Sequence, residues 1–425
     1  MEKYIFSLLV FTLFSCAKYE NIYQLKPLNT TIADATKTIT VVDEVPTLIE
    51  KRDEVKTIVV PEKAGTEAYS MNEIIADSKI IPLETTEECL IGTISKICAD
   101  KSLLVIFDKQ NQSVFRFSNK GKFLGKIGKR GRGPLEYNKL TDVSVDKKQK
   151  EICLSDLATR KFLYYDYAGK FLREESMYFY SDQVEFTNER MILEANFAHN
   201  TMAPSLDYSK IIVSSKKDQQ PLYKGFTYPE KLRGEFHWGK LRPLQKCNGK
   251  VYYTHVLSDT LWQIENDQCI ARYTLKFPER KALFTENELK YMTDELYESK
   301  IKQHRSPLAT CLITKDFLIL DIGKNGQAIP LLYCISSGHI KYNQPILKYE
   351  YSSKNDLIPF LHKGKFDFTI NDTQFVTIVQ PFDVYRDKKR YEESGFRIPK
   401  ETSNFIDKIN QEDNPILVIS TLKKF

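Results

Sequence analysis

The sequence predicts an all-β protein, a β-propeller of four-stranded antiparallel blades, and three observations carry that prediction. The stretch from Leu103 to Met177 is written nearly twice. Leu103-Leu104-Val105-Ile106-Phe107-Asp108, Ser113-Val114-Phe115-Arg116-Phe117 and Gly121-Lys122-Phe123-Leu124 return as Ile152-Cys153-Leu154-Ser155-Asp156, Lys161-Phe162-Leu163-Tyr164-Tyr165 and Gly169-Lys170-Phe171-Leu172. Asp108 to Asp156, Gly121 to Gly169 and Phe123 to Phe171 share one spacing of 48 residues, a period that signals stacked supersecondary units. Each copy consists of short apolar or aromatic runs of strand composition, separated by turn signals: an Asp, whose side chain can bond the backbone two residues on, and a Gly-Lys, whose glycine accepts positive φ. With the preceding runs Thr93 to Ile97 and Leu140 to Val145, each copy has four strands, which is one blade.

At the N-terminus, residues 1–16 read as a lipoprotein signal. The apolar run Ile5 to Phe14 is too short to span a bilayer and suits a signal-peptide core. Leu13-Phe14-Ser15-Cys16 then resembles a bacterial lipobox, which would leave Cys16 as the lipidated first residue, anchored to a membrane surface without crossing it. An ordinary secretory signal with a chance cysteine is the alternative. Residues 17–56 are polar and poor in aromatics, as expected of a flexible tether. The propeller is assigned to residues 57–425, and Thr57-Ile58-Val59-Val60 is an extended segment in front of it.

From Ile80-Ile81-Pro82-Leu83-Glu84-Thr85 the chain enters its first blade, Gly92 to Lys126, and then a second, Leu140 to Met177. A third begins near Val184, with Met191-Ile192-Leu193 and Ile211-Ile212-Val213 as strands. The fourth holds Val251-Tyr252-Tyr253-Thr254 and Leu261-Trp262-Gln263-Ile264, and its Ser258-Asp259 turn repeats Ser155-Asp156. The period then breaks. Thr285-Glu286-Asn287-Glu288 is a capping box, and Leu289, Met292 and Leu296 recur at helical spacing, which predicts an inserted helix over about residues 286–304. Strands resume at Cys311-Leu312-Ile313, Phe317 to Leu320, Leu331 to Ile335, Phe366 to Ile370 and Phe375 to Val379. After the charged segment Arg386 to Asp413 comes a terminal strand, Asn414 to Ser420. Pairing that strand with an N-terminal one in a shared blade would close the ring and remove exposed edges.

Ile81-Pro82-Leu83-Glu84-Thr85, Gly131-Arg132-Gly133-Pro134-Leu135-Glu136-Tyr137 and Asn414-Pro415-Ile416-Leu417-Val418 resemble the signatures of the six-bladed β-propeller lipoproteins of gut-type Gram-negative bacteria, relatives of the NHL-repeat propellers. The resemblance runs from Thr57 to Leu422 and implies six blades, in agreement with five readable blades plus one shared by the termini. Leu135 departs from the pattern, which leads one to expect a second glycine there.

Composition bounds the function. The chain has 425 residues, 42% hydrophobic and 12% aromatic, enough for a large core, since each blade packs only on its neighbours. Its formal charge of +6 is small against 62 basic and 56 acidic residues that are interspersed, so the surface is a solvated one and no nucleic-acid partner is expected. Apart from Cys16, seven cysteines remain, an odd count with no C-x-x-C spacing. Those inside apolar runs, such as Cys153 and Cys334, read as buried thiols, and a Cys89 to Cys98 disulfide is open.

No cofactor or metal is implied and no catalytic residue is assigned. G-x-S-x-G, H-E-x-x-H, P-loop and calcium-loop patterns are absent, and the six histidines have no ligand spacing. The most suggestive stretch is Gly125 to Tyr137, where Lys129, Arg130, Arg132 and Tyr137 are candidate ligand contacts. Basic groups among glycines would cradle a carboxylate or phosphate. The plainer reading, a tight blade connection with solvated charges, is the favoured one. His237 and Trp238 form a second candidate patch for a sugar or peptide. The expectation is a lipid-anchored envelope protein acting as a non-catalytic module that binds a glycan, peptide or protein partner. The competing reading is an envelope lyase or hydrolase acting on peptide or glycan through a channel-facing site.

Overall fold

The structure is a computed structural model. It describes residues 44–65, 71–195, 204–227, 242–254, 258–285, 293–324, 327–343, 365–393 and 400–425, with a few single positions between them. Within them six four-stranded antiparallel blades form a ring. Blade 1 is built from Lys96–Asp100, Leu103–Asp108, Ser113–Ser118 and Phe123–Lys126, and blade 2 from Leu140–Asp146, Glu151–Asp156, Lys161–Asp166 and Phe171–Ser176. Blade 3 comprises Gln183–Phe186, Arg190–Glu194, Ile211–Ser215 and Pro221–Gly225; blade 4 comprises Leu244–Cys247, Lys250–Tyr253, Thr260–Glu265 and Gln268–Lys276. Blade 5 contains Ser306–Ile313, Phe317–Lys324, Gln327–Cys334 and Ile340–Tyr342. Blade 6 takes Phe368–Thr369, Gln374–Val379 and Ile416–Leu422 from the C-terminal region and its outer strand, Ile75–Pro82, from the N-terminal side.

The ring closes where the two ends of the propeller meet. Ile75–Pro82 pairs antiparallel with Ile416–Leu422, in a register running from Pro82 opposite Ile416 to Ile75 opposite Leu422. Hydrophobic clusters fill the gaps between neighbouring blades all the way round: Ile97, Ile106 and Phe117 meet Val376 and Leu417 between blades 1 and 6, while Phe107 and Val114 meet Leu154 and Leu163 between blades 1 and 2. Such burial at about 25 cal/mol per Å² of apolar surface is the main term holding the ring together.

The repeated aspartates have a structural reason. Asp108 is fully buried and accepts the backbone N–H groups of Gly92 (2.7 Å) and Thr93 (3.3 Å), just ahead of the inner strand of its own blade. Asp156 does the same with Asn138 (2.7 Å) and Lys139 (2.9 Å). A carboxylate at the end of the second strand therefore pins the entry of the first. In the fourth blade the Ser258-Asp259 turn works differently: Asp259 holds the Arg280 guanidinium through two bonds of 2.7 and 2.9 Å.

Glutamines stitch blades together. Gln112 accepts the Leu140 N–H (2.6 Å) and donates to its carbonyl (3.2 Å), and Gln183 treats Leu244 alike, at 3.0 and 2.9 Å.

Two assignments are revised. Residues 44–56, expected in the tether, lie against the propeller: Val45 and Leu48 are buried, Ile49–Lys51 pairs parallel with the outer strand of blade 4, and so does Lys56–Val59. The apolar spacing of Val45, Leu48 and Ile58 is what docks this segment, so Thr57 to Val60 extends blade 4 and has no part in closing the ring. The predicted helix over 286–304 is broken. Thr285 and Glu288 do exchange the capping-box bonds, at 2.8 and 3.2 Å, but a second cap at Thr293 starts the helix Asp294–Gln303 afresh. Residues 1–43 lie outside the described residues, as do Leu289 and Met292.

Candidate functional site in the propeller axis

A cavity of about 570 Å³ runs along the axis, lined by the inner strands of blades 1, 2, 3, 4 and 6. It extends from strand entries at Lys96, Gln183 and Arg242 to the hairpin turns at Lys147, Glu189 and Asp372. Inner strands of a propeller have two crowded faces and an edge on the axis, so polar side chains at alternate positions meet there. Asp142, Ser144 and Asp146 in Leu140–Asp146 show that alternation.

Three blades contribute to one buried charge cluster. The Lys96 ammonium lies 2.9 Å from Asp142 Oδ2 and 3.1 Å from Glu185 Oε1. Asp142 also accepts the Val184 N–H (2.9 Å) and the Ser144 hydroxyl (3.1 Å). Burial alone would pull the Lys96 pKa down, but the two carboxylates outweigh it and raise the pKa above that of a free lysine, so the ammonium stays charged. Nearby, Lys216 pairs with Asp146, and Lys246 donates to the Phe186 carbonyl. Asp142, Asp146 and Glu185 thus each have a lysine partner.

Arg242 is different. Its guanidinium lies over the Phe368 ring, 3.8 Å from the centroid, and its Nη1 is buried without a hydrogen-bond partner. Burial lowers its pKa to about 10, opposed by the charge of Asp367, which leaves it protonated at neutral pH. Asp367 is itself engaged, at 2.8 Å from Lys365 Nζ and accepting the Ile378 N–H at 2.8 Å.

The glycine-rich connection sits elsewhere. None of Lys129, Arg130, Arg132 and Tyr137 lines the cavity, and the segment precedes an inner strand, at the opposite end from the hairpin turns. Its polar groups serve one another. Glu136 accepts the Gly133 N–H (2.8 Å) and pairs with Lys129 (3.1 Å), while Arg130 Nε donates to the Asn138 carbonyl (3.3 Å). Tyr137 is 3% exposed and donates to the Gln112 carbonyl (2.8 Å), and burial pushes its phenol up to about 12. A Cβ on Gly131 would fall 1.9 Å from Glu136 Oε2, so that glycine is needed for the clasp. Leu135 adopts φ +62°, the left-handed conformation that the expected glycine would take without strain. Arg132 is exposed. His237, Trp238 and Cys16 lie outside the described residues.

Sequence reasoning missed Lys96, Asp142, Glu185 and Arg242. The first three carry a signal, a charged residue at an alternate position of a predicted inner strand. Arg242 carries none, since it precedes Pro243 outside any strand. Among the described residues no group of three or more His, Cys, Asp or Glu side chains is placed to hold a metal, no helix is long and apolar enough to cross a membrane, and the seven cysteines are unbridged.

The fold is similar to that of an exported-protein candidate of Bacteroides fragilis, with a TM-score of 0.69 at 18% identity, covering 87% of this chain and 100% of that one. A member of the DUF4221 family from Bacteroides vulgatus aligns with a TM-score of 0.46 at 9% identity over 83% of this chain and 98% of that one. At 18% identity the first likeness speaks for the fold alone, and the second carries no argument. No curated protein matches the sequence. A family model, the domain of unknown function DUF4934, matches residues 55–421, and the chain belongs to that family.

Proposed function

We propose that the protein is a binding propeller of the cell envelope, held at a membrane surface through lipidated Cys16, and that its ligand site is the axial cavity. The observation that carries this reading is the cavity itself: about 570 Å³, within the range of small-molecule sites, framed by rigid strands from five blades and lined by charged and amide side chains among apolar ones. A glycan fragment or a short peptide fits that size and polarity. The charge cluster of Lys96, Asp142 and Glu185 supports a binding role over a catalytic one, since both carboxylates are bonded to the Lys96 ammonium.

Export is supported by the signal-like residues 1–16 and the lipobox-like Leu13 to Cys16. Fractionation of cells producing the full chain or its Cys16→Ala variant tests the anchor: the wild type is expected with membranes and the variant in the soluble fraction. The binding role is tested by exposing the soluble form to arrays of glycans and short peptides. Saturable binding to a defined set of either supports it, and a folded protein that binds nothing on either array contradicts it.

A further inference from the structure

We infer that the ligand of the axial cavity bears a carboxylate and that Arg242 is its anchor. The inference rests on the reading of the cavity as a binding site. Four features point to it.

Arg242 lines the cavity, and its Nη1 is buried yet bonded to nothing. Among the described residues it makes no ion pair: Asp367, the carboxylate nearest in charge, is taken up by Lys365 and by the Ile378 N–H. A largely buried guanidinium whose neighbouring carboxylate is bonded elsewhere is costly to fold, whereas Lys96 with Asp142 and Lys216 with Asp146 are each directly paired. Finally, the guanidinium carbon lies 3.8 Å from the Phe368 ring centroid, which holds the planar fork of N–H groups in the cavity lining. That geometry suits a carboxylate, which takes two parallel N–H···O bonds from such a fork. A uronic sugar and a peptide C-terminus would both present this group.

Thermal unfolding of the full chain and of Arg242→Met tests the assignment. Without ligand, Arg242→Met is expected to melt higher by about 2 °C or more, because a largely buried charge with no direct ion pair among the described residues has been replaced by an apolar side chain of similar length. Millimolar D-glucuronate or N-acetyl-alanyl-alanine should raise the wild-type melting temperature and leave Arg242→Met unmoved, while D-glucose and the dipeptide amide shift neither. Which of the two carboxylates acts distinguishes sugar from peptide.

A lower melting temperature for Arg242→Met would show a structural guanidinium and overturn the assignment. Equal shifts from the neutral counterparts, a larger shift from inorganic phosphate, or no shift from either carboxylate would overturn it too. A neutral sugar or amide whose binding is lost when the cavity is filled would remove the carboxylate and leave the cavity as the binding site.

Discussion

The backbone N–H of Asn414 donates to Thr85 Oγ1 at 2.8 Å across 329 residues of sequence. The Asn414 side chain completes the latch: Nδ2 donates to the carbonyls of Glu84 and Cys89, both at 2.8 Å, and Oδ1 accepts the Ile91 N–H at 2.8 Å. Two motifs from opposite ends of the propeller are thereby joined next to the Ile75–Pro82 and Ile416–Leu422 pairing. Glu84 reaches onward, accepting the Phe123 N–H (2.7 Å) and so tying blade 6 to blade 1.

Asn414 is 3% exposed, and removing its amide strands buried carbonyls and an N–H. Asn414→Ala is expected to cost about 2–4 kcal/mol, from two or more unsatisfied buried groups. Urea unfolding of variant and wild type measures it. A cost below about 0.5 kcal/mol would mean that the closure depends on strand pairing alone.

Leu135 is an exposed residue in left-handed backbone, which costs a non-glycine residue about 1–2 kcal/mol. Leu135→Gly relieves that strain and gives part of it back as chain entropy. A net gain of about 0.5–1 kcal/mol is expected in chemical denaturation. A loss would show that the Leu135 side chain contributes contacts that outweigh the strain.

Glu288 titrates low. Its ion pair with Lys300 and its bonds with the Thr285 N–H and hydroxyl hold its pKa at about 2 against an ordinary 4.5. A carboxyl depressed in the folded state stabilises fully above its unfolded pKa and loses that contribution as pH falls through the folded one. The stability difference between wild type and Glu288→Gln should therefore be present at pH 6 and shrink between pH 4.5 and 2. A difference independent of pH over that window would rule out a role for the charge.

The buried cluster of Lys96, Asp142 and Glu185 is a paired one, so breaking it is costly. Lys96→Met leaves two carboxylates facing each other, with a loss of about 3–5 kcal/mol. Lowering the pH to protonate them should restore part of it. A Lys96→Met protein as stable as wild type at pH 7 would mean that water already screens the cluster.

The fold was legible because its signals are periodic and local. Asp108 and Asp156, Gly121 and Gly169 mark matching turns, and each is held by contacts inside its own blade or with the next. The capping box of Thr285 and Glu288 was legible for the same reason, although the restart at Thr293 was not: there Thr293 caps the Leu296 N–H and Phe284 stacks on Tyr297, a contact that local spacing does not signal. Docking of Val45 and Leu48 escaped notice, since two apolar residues in a polar stretch give no period.

The axial site was largely illegible. Lys96, Asp142 and Glu185 come from three consecutive blades, at separations of 46 and 43 positions, and only the packing of those blades round the axis brings them together. The glycine-rich connection drew attention by composition, yet its glycines serve the fit of Glu136 and Tyr137.

Entry of ligand into the propeller axis is tested by the binding of one array-identified ligand to two folded variants. Thr369→Trp places a large ring on the half-buried wall of the cavity, and Arg132→Ala removes an exposed charge from the glycine-rich connection. Thr369→Trp is expected to abolish binding while its melting transition persists, and Arg132→Ala to bind as the wild type does. Binding that survives Thr369→Trp and is lost in Arg132→Ala would contradict it.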